Sequence, residues 1–240
     1  MADSRTLKAL LAPLLKRRPD LAFARRTLFF VPVTHYLRGV EFIYYSFGDE
    51  AASFVMPLFM GRHTVDFGGS RGQYTYLLQG GWQPDFERTS LELCDRLERE
   101  ALPPIERLDN PREHEKFPHY MFDSWGIPDP PLNWSSSYIF KVALGACYYA
   151  EYDRARDVLS RIEWVKEAEM GPVTEQFRYS HSILERGAYL QKALREDSSR
   201  VPQLLHDWEE FSVKSMKLAK YWKATPFPCD GQNTETRSTR

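Results

Sequence analysis

The stretch from Thr27 to Gly61, TLFFVPVTHYLRGVEFIYYSFGDEAASFVMPLFMG, most constrains the fold, because aromatic and β-branched residues crowd it at the spacing of strands. Three strands are predicted: about Ala24 to Val33, about Arg38 to Phe47, and about Ala52 to Met60, with Phe47 to Glu50 as the second turn. Short connections make them an antiparallel meander in the order 1-2-3. Proline gives no ladder hydrogen bond, so Pro32 and Pro57 place the outer strands at edges or bulges, with the proline-free strand central. A half-wet sheet alternates apolar and polar residues, and this one does not: Val40, Phe42 and Tyr44 oppose Ile43, Tyr45 and Phe47. Both faces therefore need cover.

Local helices are the first source of that cover. Leu7, Leu10, Leu11, Leu14 and Leu15 lie on one face of an amphipathic helix from Ser4 to Arg17, stopped by Pro19 and expected to dock on the sheet. A hairpin of His63 to Phe67 and Gln73 to Leu78, joined by Gly68 to Gly72, follows. Thr89 and Glu92 have capping-box spacing ahead of a helix with Leu91, Cys94, Leu97 and Ala101, which Pro103 and Pro104 end or kink.

This order resembles a bacterial family of small α+β domains of unknown function: an N-terminal helix, a basic entry to the first strand (Arg25 to Phe30), an aromatic sheet, and a closing helix followed by Ile105 to Leu108. Some relatives of that family sit near toxin and immunity genes. The resemblance covers residues 5–108 and implies at most a binding role, with no functional residue to carry over.

Residues 109–134, rich in proline and aromatics, are expected to be a linker pinned to an apolar surface. Beyond it about four helices are predicted in a domain of residues 135–225. Leu144 to Ile162 resembles one tetratricopeptide-type helical hairpin, with Leu144, Gly145 and Tyr148 on the first helix and Tyr152, Ala155, Leu159 and Ile162 on the second. Further helices are expected over Val173 to Arg195 and Val201 to Lys223, then a disordered tail, 226–240. The fold class is thus α+β: an antiparallel sheet flanked by helices in residues 1–108, then an all-α region.

Charge is uneven along the chain. Residues 1–40 carry a net charge of +6 and residues 41–120 a net charge of −6. A basic segment can be a nucleic-acid footprint, with Lys16, Arg17, Arg18, Arg25 and Arg26 as phosphate contacts. The competing reading pairs these cations with the acidic middle region. Cys94, Cys147 and Cys229 are too few and too widely spaced for a disulfide framework or a zinc site, and a reduced cytoplasmic chain is expected. No apolar run is long enough to span a membrane.

No set of residues has the spacing of a catalytic, cofactor-binding or metal-ligating motif. His181 with Glu185 is a helix-face pair of a common kind, the Glu113 to His119 run lacks ligand spacing, and the Gly68 to Gly72 loop precedes a strand where a phosphate loop needs a helix. The leading expectation is a non-enzymatic protein-binding module, immunity-like or regulatory, with Tyr45, Phe47, Phe59, Tyr120, Phe122 and Trp125 as interface candidates. The alternatives are nucleic-acid binding through the basic segment and an enzyme whose site is assembled from distant residues. An uncovered sheet face or edge would also permit a homo-oligomer.

Overall fold

The computed structural model describes residues 3–45, 48–62, 75–78, 86–109, 136–164 and 183–231. The architecture is α+β, an antiparallel sheet with flanking helices followed in the chain by a helical region. Two compact units are distinguished: Met1–Met56 with Ser70–Met121, and Pro57–Gly69 with Phe122–Arg240.

In the first unit, the Asp3 side chain accepts a 2.7 Å bond from the Thr6 N–H and caps helix α1, Ser4–Leu10. One helix to Arg17 was expected, but the chain breaks at Leu11 and resumes as α2, Ala12–Arg17. Pro13 has no N–H for the Ala9 carbonyl, which accounts for the break. Four of the five leucines of the stripe survive it, since Leu7, Leu10, Leu11 and Leu14 are fully buried, while Leu15 is only half-buried. Both short helices pack on α3, Phe86–Arg96, where the sheet was the expected partner, and α2 also touches β1, Leu21–Ala24. The Leu10 carbonyl, orphaned at the break, accepts from Ser90 Oγ at 2.6 Å and Cys94 Sγ at 3.4 Å, one turn apart on α3.

The sheet has five strands in sequence order: β1, β2 (Thr27–Phe30), β3 (Tyr36–Tyr45), β4 (Gly48–Pro57) and β5 (Thr75–Leu78). The consecutive order and central place of β3 agree with the meander. Its ends do not. The first expected strand is a hairpin, with Arg25 and Arg26 between Ala24 and Thr27 and Arg25 at φ 59°. This makes β2 an interior strand, and Pro32 lies past its end. Pro57 is the last residue of β4, beyond the Asp49–Ala52 stretch paired with β5, so β4 is interior too. Gly48 already belongs to β4, which shortens the expected turn. His63 to Phe67 and the Gly68 to Gly72 loop lie outside the described residues.

Every residue from Ala51 to Gly61 is buried, which takes in both faces of β4 over that stretch. Helix α3 begins at Phe86, so Thr89 and Glu92 lie inside it and form no cap. Its buried stripe is Ser90, Leu93 and Cys94, continued by Leu97 just past its end, whereas Leu91 faces out. A π-turn over Leu97–Ala101 leads to α4, Pro103–Glu106, whose first turn holds both prolines because no intrahelical N–H is needed there.

The second unit contains α5 (Ser136–Tyr148), α6 (Tyr152–Leu159), α7 (Ile183–Glu196) and α8 (Val201–Ser215). Helices α5 and α6 form an adjacent pair, and α7 and α8 pack on α5. Helix α8 was expected to reach Lys223 but stops at Ser215. Lys217 takes φ 59°, and the Lys217 and Leu218 N–H groups bond back to the Lys214 and Val213 carbonyls. Helix α5 ends alike, with Ala150 at φ 59° and bonds from Ala150 to Cys147 and from Glu151 to Ala146. Both are Schellman closures.

The single turn Leu58–Met60 packs on α8. Of the expected linker only Asp109 is described. Part of the expected disordered tail is ordered: Pro228–Gly231 is a 3-10 turn, Phe227 is 2% exposed and Cys229 is fully buried. A low count of apolar residues concealed two that are used fully.

Candidate functional site

The expected phosphate contacts lie in the first unit. Arg17 Nη2 meets Glu98 at 2.6 Å and Asp95 at 3.8 Å. Arg18 forms a fork on Asp20, at 2.9 and 2.7 Å, and reaches Glu106 at 2.8 Å. Arg26 Nε donates to the Phe42 carbonyl at 2.6 Å, while Lys16 and Arg25 are exposed. The bond to Arg18 holds the Asp20 carboxyl below its ordinary range. Partners Asp95, Glu98 and Glu106 all come from the acidic middle region, so three of the five cations are engaged within their own unit.

The Phe30 ring lies under one of these groups and one further arginine, with the guanidinium carbons of Arg18 at 6.0 Å and Arg38 at 5.2 Å from its centroid. Arg38 also donates to the Glu106 carbonyl, and burial lowers its guanidinium pKa. Nearby on the sheet, Thr27 Oγ1 donates to Glu41 Oε2, and burial pushes the Glu41 carboxyl up. This is an arginine and carboxylate lattice over an aromatic ring, with its charge largely balanced internally.

The interface candidates separate. Phe59 is not a surface residue: it is 1% exposed, with ring centroids 5.7 Å from Tyr148 and 5.5 Å from Phe227. It was assigned to an interface because strand alternation was carried through Pro57, where the strand ends. Tyr45 ends β3, and its side chain is outside the described set. Phe47, Tyr120, Phe122 and Trp125 lie outside the described residues, as do His181 and Glu113 to His119.

Missed in the sequence is a polar and aromatic group in the second unit. His206 Nε2 lies 2.9 Å from Asp230 Oδ2, which also accepts from the Phe227 N–H at 2.7 Å. The His206 ring sits 4.6 Å from that of Phe227. Burial pushes the Cys229 thiol and the Tyr152 hydroxyl up to about 12, and raises Cys147 as well. Thiols held protonated in this way are poor nucleophiles. All three cysteines are free and buried, and among the described residues no cluster of His, Cys, Asp and Glu could hold a metal. Only the sequential run Phe227-Pro-Cys-Asp230 signalled this group, because His206 is 24 residues from its partner.

Three large apolar side chains are exposed among the described residues: Phe86 at 48%, Leu91 at 46% and Leu184 at 40%. Two of them share α3. No described helix is long and apolar enough to cross a membrane. A search of protein families, of curated proteins and of solved structures finds no match for this chain.

Proposed function

We propose that this chain is a protein-binding module, immunity-like or regulatory, with its contact surface on the outer side of α3. The observation that supports this reading is the exposure of Phe86 and Leu91 on a helix whose Leu93 and Cys94 are buried. Large apolar side chains held in solvent on a rigid element favour a protein partner when charged groups surround them. Glu87, Arg88 and Glu92 supply that rim, and Arg88 pairs with Glu92 at 2.9 Å. On the sheet, β4 is buried on both faces from Ala51 to Pro57, so that stretch is not part of the proposed surface.

A photo-reactive residue at position 91, introduced in the producing cell, tests this reading. One protein is expected to crosslink there and not from position 8 on α1, which is also exposed. With that protein purified, Phe86→Ser with Leu91→Ser is expected to weaken binding by at least about tenfold, the equivalent of ~1.4 kcal/mol, with thermal unfolding unchanged. Equal crosslinking from both positions, or unchanged binding by the double variant, would overturn the assignment.

A further inference from the structure

The end of the described chain is seated in the second unit in the manner of a bound peptide. Phe227 stands edge-on to Phe59, with ring centroids 5.5 Å apart at 89°, and to Tyr148, at 5.6 Å and 88°, while His206 closes the third side. Three residues on, the Asp230 carboxylate meets His206 and accepts from the Phe227 N–H, and the Asp230 N–H donates to the Phe227 carbonyl at 3.0 Å. Inward and outward positions alternate. Phe227 and Cys229 are buried, whereas Pro226 and Pro228 between and before them are exposed, and so are Lys223 and Ala224 upstream. An aromatic anchor, an acidic group at a fixed offset and prolines that restrict the free chain are the ingredients of short-peptide recognition.

We infer that the pocket of Phe59, Tyr148 and His206 is a recognition site for a Phe-x-x-Asp peptide, and that residues 227–230 of this chain fill it in cis. The occupant it would exchange for is a partner segment with the same aromatic and acidic pair. The aromatic ring supplies the buried area, and the carboxylate selects through His206 and caps the turn. Tethering gives the cis segment an effective concentration of about 1 mM, so a partner segment must be abundant, tight or helped by other contacts to displace it. This site is separate from α3 and does not rest on the function proposed for that helix.

A protease cleavage sequence placed between the exposed Lys223 and Ala224 of the full chain provides the test. After cutting, the segment is held only by its contacts, and a fluorescent peptide of residues 224–240 reports the pocket by anisotropy under reducing conditions. The expected result is an unchanged near-ultraviolet circular dichroism spectrum, saturable binding, and an apparent affinity at least about tenfold above that of the uncut chain. Peptides carrying Phe227→Ala or Asp230→Ala are expected to compete at least about tenfold less well, and a peptide keeping only Phe, Pro and Asp in place to compete well. Collapse of the spectrum on cutting would overturn the inference, because the segment would then be part of the core. Equal binding by cut and uncut chains, or equal competition by the two variant peptides, would do so as well.

Discussion

Ala150 and Lys217 are non-glycine residues at the left-handed position of helix closures, each at φ 59°. A Cβ there crowds the following carbonyl, and glycine is free of that contact. Replacing either by glycine is expected to stabilise the protein by about 0.5–1 kcal/mol, less what the unfolded chain gains in freedom, read as a higher urea midpoint at constant slope. Two existing glycines respond in the opposite direction. A Cβ on Gly187 would lie 2.0 Å from the Trp164 ring, which is itself held by a 2.7 Å bond from its Nε1 to the Leu159 carbonyl. A Cβ on Gly39 would lie 2.1 Å from the backbone oxygen of Leu28, next to its register partner Phe29. Gly187→Ala and Gly39→Ala are each expected to destabilise by about 1–3 kcal/mol, Gly39→Ala by more, because backbone cannot rotate aside.

At the scale of elements, the sheet and its helices carry carboxylates that act oppositely on pH stability. Asp20 has its pKa lowered by the bond from Arg18, so its contribution is present above the ordinary aspartate value and lost as pH falls through the lowered one. Glu41 has its pKa raised by burial between β2 and β3. The native state keeps that proton to higher pH than the unfolded chain, so stability falls as pH rises from the ordinary glutamate value through the raised one. Glu41→Gln keeps an acceptor for Thr27 Oγ1 and is expected to remove this decline, measured as urea stability from about pH 4, near the ordinary glutamate value, up to about pH 8. A variant with the same slope as the parent would show that Glu41 ionises freely. How far such elements were legible in the sequence depended on the range of the forces that set them. Charge complementarity between the basic start and the acidic middle was readable, and so were the central place of β3 and the leucine stripe, since local pattern decides them. The hairpin at Arg25 and Arg26 was hidden because its loop has no glycine or asparagine. The docking of Phe227 and Cys229 was hidden because residues more than 20 positions away, such as His206, create the pocket.

For the whole molecule, the decisive point is that both units are discontinuous in sequence. Residues 57–69 belong with the helical unit, although the strand leading into them belongs to the sheet unit. The attachment within the helical unit is specific. Ser212 Oγ donates to the Leu58 carbonyl at 2.6 Å and accepts from the Arg62 N–H at 2.8 Å, and the buried Arg186 donates to the Gly61 carbonyl. Gly61 itself takes φ 67°, with Trp208 and Arg186 within 3.4 Å of where a Cβ would stand. Ser212→Ala would leave the Leu58 carbonyl and the Arg62 N–H without this shared partner, and is expected to cost about 1–3 kcal/mol by urea unfolding of the full chain. The same geometry decides what a cut after residue 118 would do. Such a fragment keeps Leu58, Phe59 and Met60 but loses α8, Tyr148 and Phe227, the groups that bury them. Each of these three side chains then stands to lose about 1.5–3 kcal/mol of burial, a large share of what a small domain has in reserve. Residues 1–118 alone are therefore expected to self-associate or precipitate and to bind a hydrophobic dye, measured by analytical ultracentrifugation and dye fluorescence. Sedimentation of that fragment as a cooperatively unfolding monomer would mean that the turn after β4 finds equivalent cover inside the sheet unit.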